Sequence, residues 1–474
     1  MKLTNINQKW KLSQYFDSKF MKQALIIMIP LIAQSLLIAL MNVIDVFMIG
    51  SFLSQEVLNG VGAANTILLL AMFGFFATNM AGSIYASQYI GNNNLKKMQE
   101  VNNIRIMINV TMSIIFTIFI FTLRNDLIKV IIASESSKTM LNFNSQIAID
   151  NGSLYLAIVI WIYPLLSVIT TLYQNMNECN KTYLPFLFTI FPVLTNGILN
   201  FISLFYLKMG VMGVAIPTVI ARILEITIVI TFLLITKPVF RPMKKFWYIT
   251  KDLLLKILKS LLPIFLANIL FVLSLTAQTV IYSYYGGADI LSATVVVMNI
   301  MNIFYAVFNS YSAIVPIFIG KQLGVGKLSQ AVANLKKIIG LLFLIAITFT
   351  IIIFGLSFFI FDILFTNKIS NEAINTARFY LGLQSLAYFF LSFSIIFFSV
   401  LRAGGFVKLA TALDILCTWI IIVMTPLIVS IIVTKYFPNF DYKYIFIIST
   451  IGEIIQFALV TICVIKVKWA QKLI

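Results

Sequence analysis

Residues 29–50 read IPLIAQSLLIALMNVIDVFMIG. As a helix rising about 1.5 Å per residue, this run crosses the roughly 30 Å hydrocarbon core of a bilayer. Yet it carries a carboxylate, Asp45, with Asn42 three residues earlier. An ionisable side chain among lipid tails costs at least a few kcal/mol, so it faces a cavity or a partner and is a functional candidate by default. The stretch therefore raises two questions: how many such runs exist, and what meets Asp45.

Working outward, the composition matches the stretch. Hydrophobic residues make up 61% of the 474 and charged residues 11%, with a mean hydropathy of +1.00. A soluble chain carries about a quarter charged residues. Twelve runs long enough to span recur near 24–50, 59–87, 104–123, 151–175, 185–207, 212–236, 261–285, 290–319, 338–361, 379–401, 409–433 and 444–465. The chain reads as an all-α polytopic membrane protein.

The net charge of +18 does not indicate nucleic acid. With the runs alternating in direction, one side collects 25 of the 34 Lys and Arg, the other side eight, and Arg222 lies within a run. That bias is the positive-inside pattern, which predicts both termini in the cytoplasm of a cell-membrane protein. The absence of histidine removes imidazole relays and His-ligated metals. Cys179, Cys417 and Cys463 stand too far apart for a disulfide framework or a metal knuckle. The first 22 residues, MKLTNINQKWKLSQYFDSKFMK, have no apolar core of a cleavable signal. The loops hold no soluble domain and the runs hold no catalytic constellation, so an enzyme is not expected.

The chain also repeats. LIIMIPLIAQSLL around Pro30 matches LKSLLPIFLANIL around Pro263 at an offset of 233, and Glu56-Val57-Leu58 aligns with Asp289-Ile290-Leu291 at the same offset. Tyr89-Ile90-Gly91 matches Phe318-Ile319-Gly320 at 229. Two six-helix lobes follow, 1–236 and 261–474, joined by a basic cytoplasmic linker at 237–260. Six crossings are even, so the repeat is parallel about an axis normal to the membrane, a transporter architecture.

Four carboxylates lie well within runs: Asp45, Glu225, Asp414 and Glu453. Counting along the helices brings Asp45, Asn196, Asn200 and Thr218 to one depth in the outer half of the first lobe. One carboxylate and several neutral oxygens suit Na⁺ or an exchangeable proton, or else a network that glues helices together. Arg222 and Glu225, three apart, read as a structural ion pair. Asp414 and Glu453 read as a second cation site or as a structural pair, with Lys408 or Trp419 as neighbours.

These residues resemble the multidrug and toxic compound extrusion (MATE) transporters over essentially the whole chain. The resemblance rests on Pro30–Gly50, on ATNMAGSIYASQYIG ending at Gly91, on GVMGVAIPTVIARILE at 210–225, and on Leu401-Arg402-Ala403-Gly404-Gly405. Asp414, Trp419, Pro426, Glu453 and the tail KWAQKLI resemble a bacterial subgroup. It implies a secondary antiporter, without a prosthetic cofactor, that exports small organic and often cationic compounds for Na⁺ or H⁺. It further implies that Asp45, Asn196, Asn200 and Thr218 form the first lobe's cation site. Many proton-coupled relatives carry a second aspartate where this chain has Asn200, which tilts the expectation toward Na⁺. A glutamate some relatives place early in the seventh run is missing from LPIFLANILFV. The expected partners are organic substrates and the bilayer around a monomer. The competing function is a flippase for a lipid-linked precursor, which needs a basic cavity where the runs offer only Arg222.

Overall fold

The computed structural model describes residues 14–135, 144–243, 245–365, 370–437 and 440–474. Residues 1–13, most of the polar amino-terminal segment, lie outside them. Among the described residues twelve helices are long and apolar enough to cross a membrane and no strand occurs. In chain order they are α1 (Ser18–Phe52), α2 (Gln55–Gly91), α3 (Leu95–Ile132), α4 (Ser145–Glu178), α5 (Tyr183–Tyr206) and α6 (Met212–Thr236). The second set is α7 (Lys251–Gly287), α8 (Asp289–Val325), α9 (Leu328–Ile363), α10 (Asn371–Ala403), α11 (Val407–Tyr436) and α12 (Tyr442–Lys466). The protein is an all-α, multi-pass membrane protein.

Helix ends follow local chemistry. Asp17 accepts the Phe20 N–H at 3.1 Å and so caps α1. Asn144 accepts from Gln146 and Ile147 at the head of α4, and Ser370 accepts from Ala373 at the head of α10. Each such cap satisfies an amide that lacks an intrahelical partner. The α2–α3 and α8–α9 connections turn through left-handed residues, Asn93 at φ 54° and Gly326 at φ 85°. Helices α1 and α7 start 233 residues apart and carry Pro30 and Pro263 in equal register.

Two compact units divide the chain, one of residues 30–272 and one of residues 14–29 with 273–474. Their edges fall inside α1 and α7. The linker counts with the first unit, since α3 holds its backbone: Gln99 donates to the Val239 carbonyl at 2.9 Å, Asn103 to that of Phe246 at 3.2 Å, and Glu100 accepts the Thr250 N–H at 2.7 Å. Within this unit α2 and α4 touch backbone to backbone. A Cβ on Gly60 would stand 2.2 Å from the Ala148 carbonyl oxygen, and one on Gly152 would stand 2.5 Å from that of Gly60. Small residues permit such approach where hydrophobic burial no longer drives helices together. In the second unit Lys337 of α9 pairs with Asp17 at 2.6 Å and Lys336 donates to Gln14 at 3.0 Å.

Candidate functional site

The first unit gathers Asp45 from α1, Asn196 and Asn200 from α5, and Thr218 from α6. Asp45 is 7% exposed, whereas Phe47 two residues on is 72% exposed, so the helix turns its acid inward and its ring outward. Asn196 and Asn200 are four apart and share a helix face. The Asn200 amide donates to Asp45 Oδ1 at 2.5 Å and to Asn196 Oδ1 at 3.2 Å. The Asn196 amide donates to Thr218 Oγ1 at 3.2 Å, and Thr218 donates to the Val214 carbonyl at 2.9 Å. Tyr155 of α4, buried as well, lies within electrostatic reach of Asp45 and near Thr218.

The direction of these bonds has a consequence. The two Asn200 N–H groups are both committed, yet its Oδ1 is buried with no partner among the described residues. A buried acceptor left unpaired costs about 1–3 kcal/mol. What the cluster has left to offer is oxygen beside a carboxylate, which is the complement of a small cation. Tyr155 completes this set. Its position 110 residues after Asp45 in a largely apolar run gave no signal in the sequence.

One turn further along α6, Arg222 bonds Glu225 Oε2 at 2.7 Å. Tyr173 of α5's predecessor, α4, donates to Glu225 Oε1 at 2.7 Å. The other Arg222 nitrogen, Nη2, donates among the described residues only to the Met41 thioether, at 3.6 Å. The same unit holds a second ion pair. Arg105 of α3 grips Glu178 of α4 through two bonds of 2.7 and 2.8 Å, with Asn102 and Asn175 accepting from its Nη2. Both residues are wholly buried. This corrects the expectation that Arg222 is the only basic residue within the spans. Arg105 stands at the very edge of its apolar run and Glu178 beyond the end of its own, so hydropathy placed them at the surface. Gly82 makes room for the arginine, since a Cβ there would lie 2.3 Å from Arg105 Cδ.

In the second unit Asp414 and Glu453 occupy different surroundings. Asp414 pairs with Arg402 of α10 at 3.2 Å and accepts from Gln456 at 3.3 Å. Its basic partner is thus Arg402, twelve residues back across a turn, where proximity in sequence had suggested Lys408. Glu453 is 8% exposed and its Oε2 has no partner among the described residues. The hydroxyls of Tyr282, Tyr305 and Tyr380 lie within electrostatic reach of it.

The family model MatE matches residues 30–202 and 263–427. A curated relative, the uncharacterized transporter YisQ of Bacillus subtilis, is 24% identical over 400 residues, covering 82% of this chain and 83% of its own. Among solved structures the chain is similar to a mutant of the Vibrio cholerae MATE transporter VcmN, with a TM-score of 0.79 at 16% identity over 97% of this chain and 100% of that one. It is also similar to the eukaryotic MATE transporter AtDTX14, with a TM-score of 0.79 at 15% identity, over 95% and 97% of the two chains.

Proposed function

Since the chain belongs to the MatE family of membrane transporters, we propose that it is a secondary antiporter. It expels small organic, often cationic compounds across the cell membrane in exchange for Na⁺ or H⁺. The exchanged cation binds at Asp45, with Asn196, Asn200 and Thr218 supplying neutral oxygens and Tyr155 orienting Thr218. The observation that carries this reading is the buried, unpartnered Asn200 Oδ1 beside the carboxylate. Hard cations favour such oxygen sets. With one carboxylate in the site, a bound Na⁺ is neutralised without a second titrating group, so Na⁺ is the favoured ion. The six-helix lobes are 1–236 and 261–474, and both termini face the cytoplasm.

The test is Asp45→Asn in proteoliposomes loaded with a fluorescent organic cation such as ethidium. The amide keeps size and hydrogen bonding but cannot balance a cation. Coupled export falls to background while yield and monodispersity stay near wild type. Full transport by that variant refutes the site, and headgroup translocation of a labelled lipid in place of dye flux refutes the antiporter.

A further inference from the structure

Arg222 has two places to go. Its guanidinium is bonded on one side to Glu225, at 2.7 Å. On the other side Nη2 rests against Met41 Sδ at 3.6 Å, a weak acceptor for a charged donor. Met41 precedes Asp45 by four residues on α1, so the two share a helix face one turn apart. On α6, Arg222 likewise follows Thr218 of the candidate site by one turn. The guanidinium thus stands between two buried carboxylates, Asp45 on α1 and Glu225 on its own helix, and acts electrostatically on both. The other titratable groups facing it are the Tyr155, Tyr163 and Tyr173 hydroxyls of α4.

We propose that Arg222 is an internal counter-ion that competes with the exchanged cation for Asp45, pairing with Asp45 when no cation is bound and retiring to Glu225 when one is. The inference rests on the reading of Asp45 as the cation site. The physical need is plain: a bare carboxylate in this interior is costly, and a long, permanently charged side chain with a second anchor relieves it at short range. Glu225 sets how strongly the arginine is held back, and Tyr173 fixes the Glu225 carboxylate. Arg222 is a positioning residue here, acting on the ion through charge alone.

The role predicts opposite signs for two variants, which a purely structural pair does not. Removing both charges, Arg222→Met/Glu225→Gln, takes away the competitor without stranding a charge. Half-saturation by Na⁺ then falls, by less than loss of the arginine charge alone would give, because the opposing Glu225 charge leaves with it. Removing only the anchor, Glu225→Gln, leaves Arg222 nothing but Asp45 to pair with, and half-saturation rises. Binding of radiolabelled sodium to the purified full-length protein reads both, at fixed pH and independently of transport. If the proton is the ion, the same signs appear as a half-maximal pH that moves up in the double variant and down in Glu225→Gln. Should the double variant not fold, Arg222→Lys/Glu225→Gln keeps the charge and must weaken binding as Glu225→Gln does. Unchanged affinity for both ions, or a shift of one sign in every variant, overturns the proposal. Asp45→Asn separates the two levels: retained sodium binding there sinks the site itself, whereas lost binding with unshifted Arg222 variants sinks only the counter-ion.

Discussion

Asn200 is the residue on which the choice of ion turns. Its amide spends both protons on Asp45 and Asn196, and its oxygen stays free. Replacing it with aspartate sets a second carboxylate 2.5–3.2 Å from its present partners. Two carboxyl groups this close cannot both stay charged, so the pair retains a proton. Asn200→Asp is expected to gain transport driven by an imposed pH gradient and to lose part of its Na⁺ requirement. Dye efflux under each gradient in turn measures this. An ion dependence identical to wild type would place residue 200 outside the site. Tyr155→Phe, which removes only a hydroxyl beside Asp45 and Thr218, should weaken Na⁺ activation several-fold while leaving the yield intact, since a single polar contact contributes about 1 kcal/mol.

At the scale of elements, the α2–α4 contact is the most exacting in the first unit. Gly60→Ala drives a methyl to 2.2 Å from the Ala148 carbonyl, so a helix must shift, at about 1–3 kcal/mol or more. Gly62, two residues on, has nothing within 4 Å, and alanine there gains up to about 1 kcal/mol of helix propensity. Thermal unfolding in detergent should therefore fall for Gly60→Ala and hold or rise for Gly62→Ala. Equal Tm values would mean that the helices do not meet as described. The twelve helices themselves were legible because each needs about twenty apolar residues, and that signal is local. Asp45 and its three polar neighbours were legible for a related reason, since depth along a helix can be counted. The grip of Arg105 on Glu178 was not, because whether a charge near a span end lies in water or under a neighbour depends on packing between helices far apart in sequence. Arg402 eluded the sequence for a more local reason: the turn after α10 brought it to Asp414 past the nearer Lys408.

For the whole molecule, the charge bias predicts that a carboxy-terminal tag is reached by protease in inside-out vesicles and protected in intact cells. The reverse pattern would invert the assigned orientation of every site. A different constraint comes from the order in which the chain is made. Arg105 leaves the ribosome 73 residues before the glutamate that neutralises it. Until α4 arrives, Arg105 lies near the end of its span without its counter-charge and reaches toward the membrane interface instead. Assembly is then vectorial: α3 must linger at the insertion machinery, or sit shallow with its arginine at the interface, until Glu178 emerges. A nascent chain ending after α3 should integrate poorly, one ending after α4 should integrate well, and Glu178→Gln should return the longer chain to the behaviour of the shorter. On that outcome, the ion pair that looks like a static rivet in the finished protein would also serve, during synthesis, as a checkpoint on helix partnership.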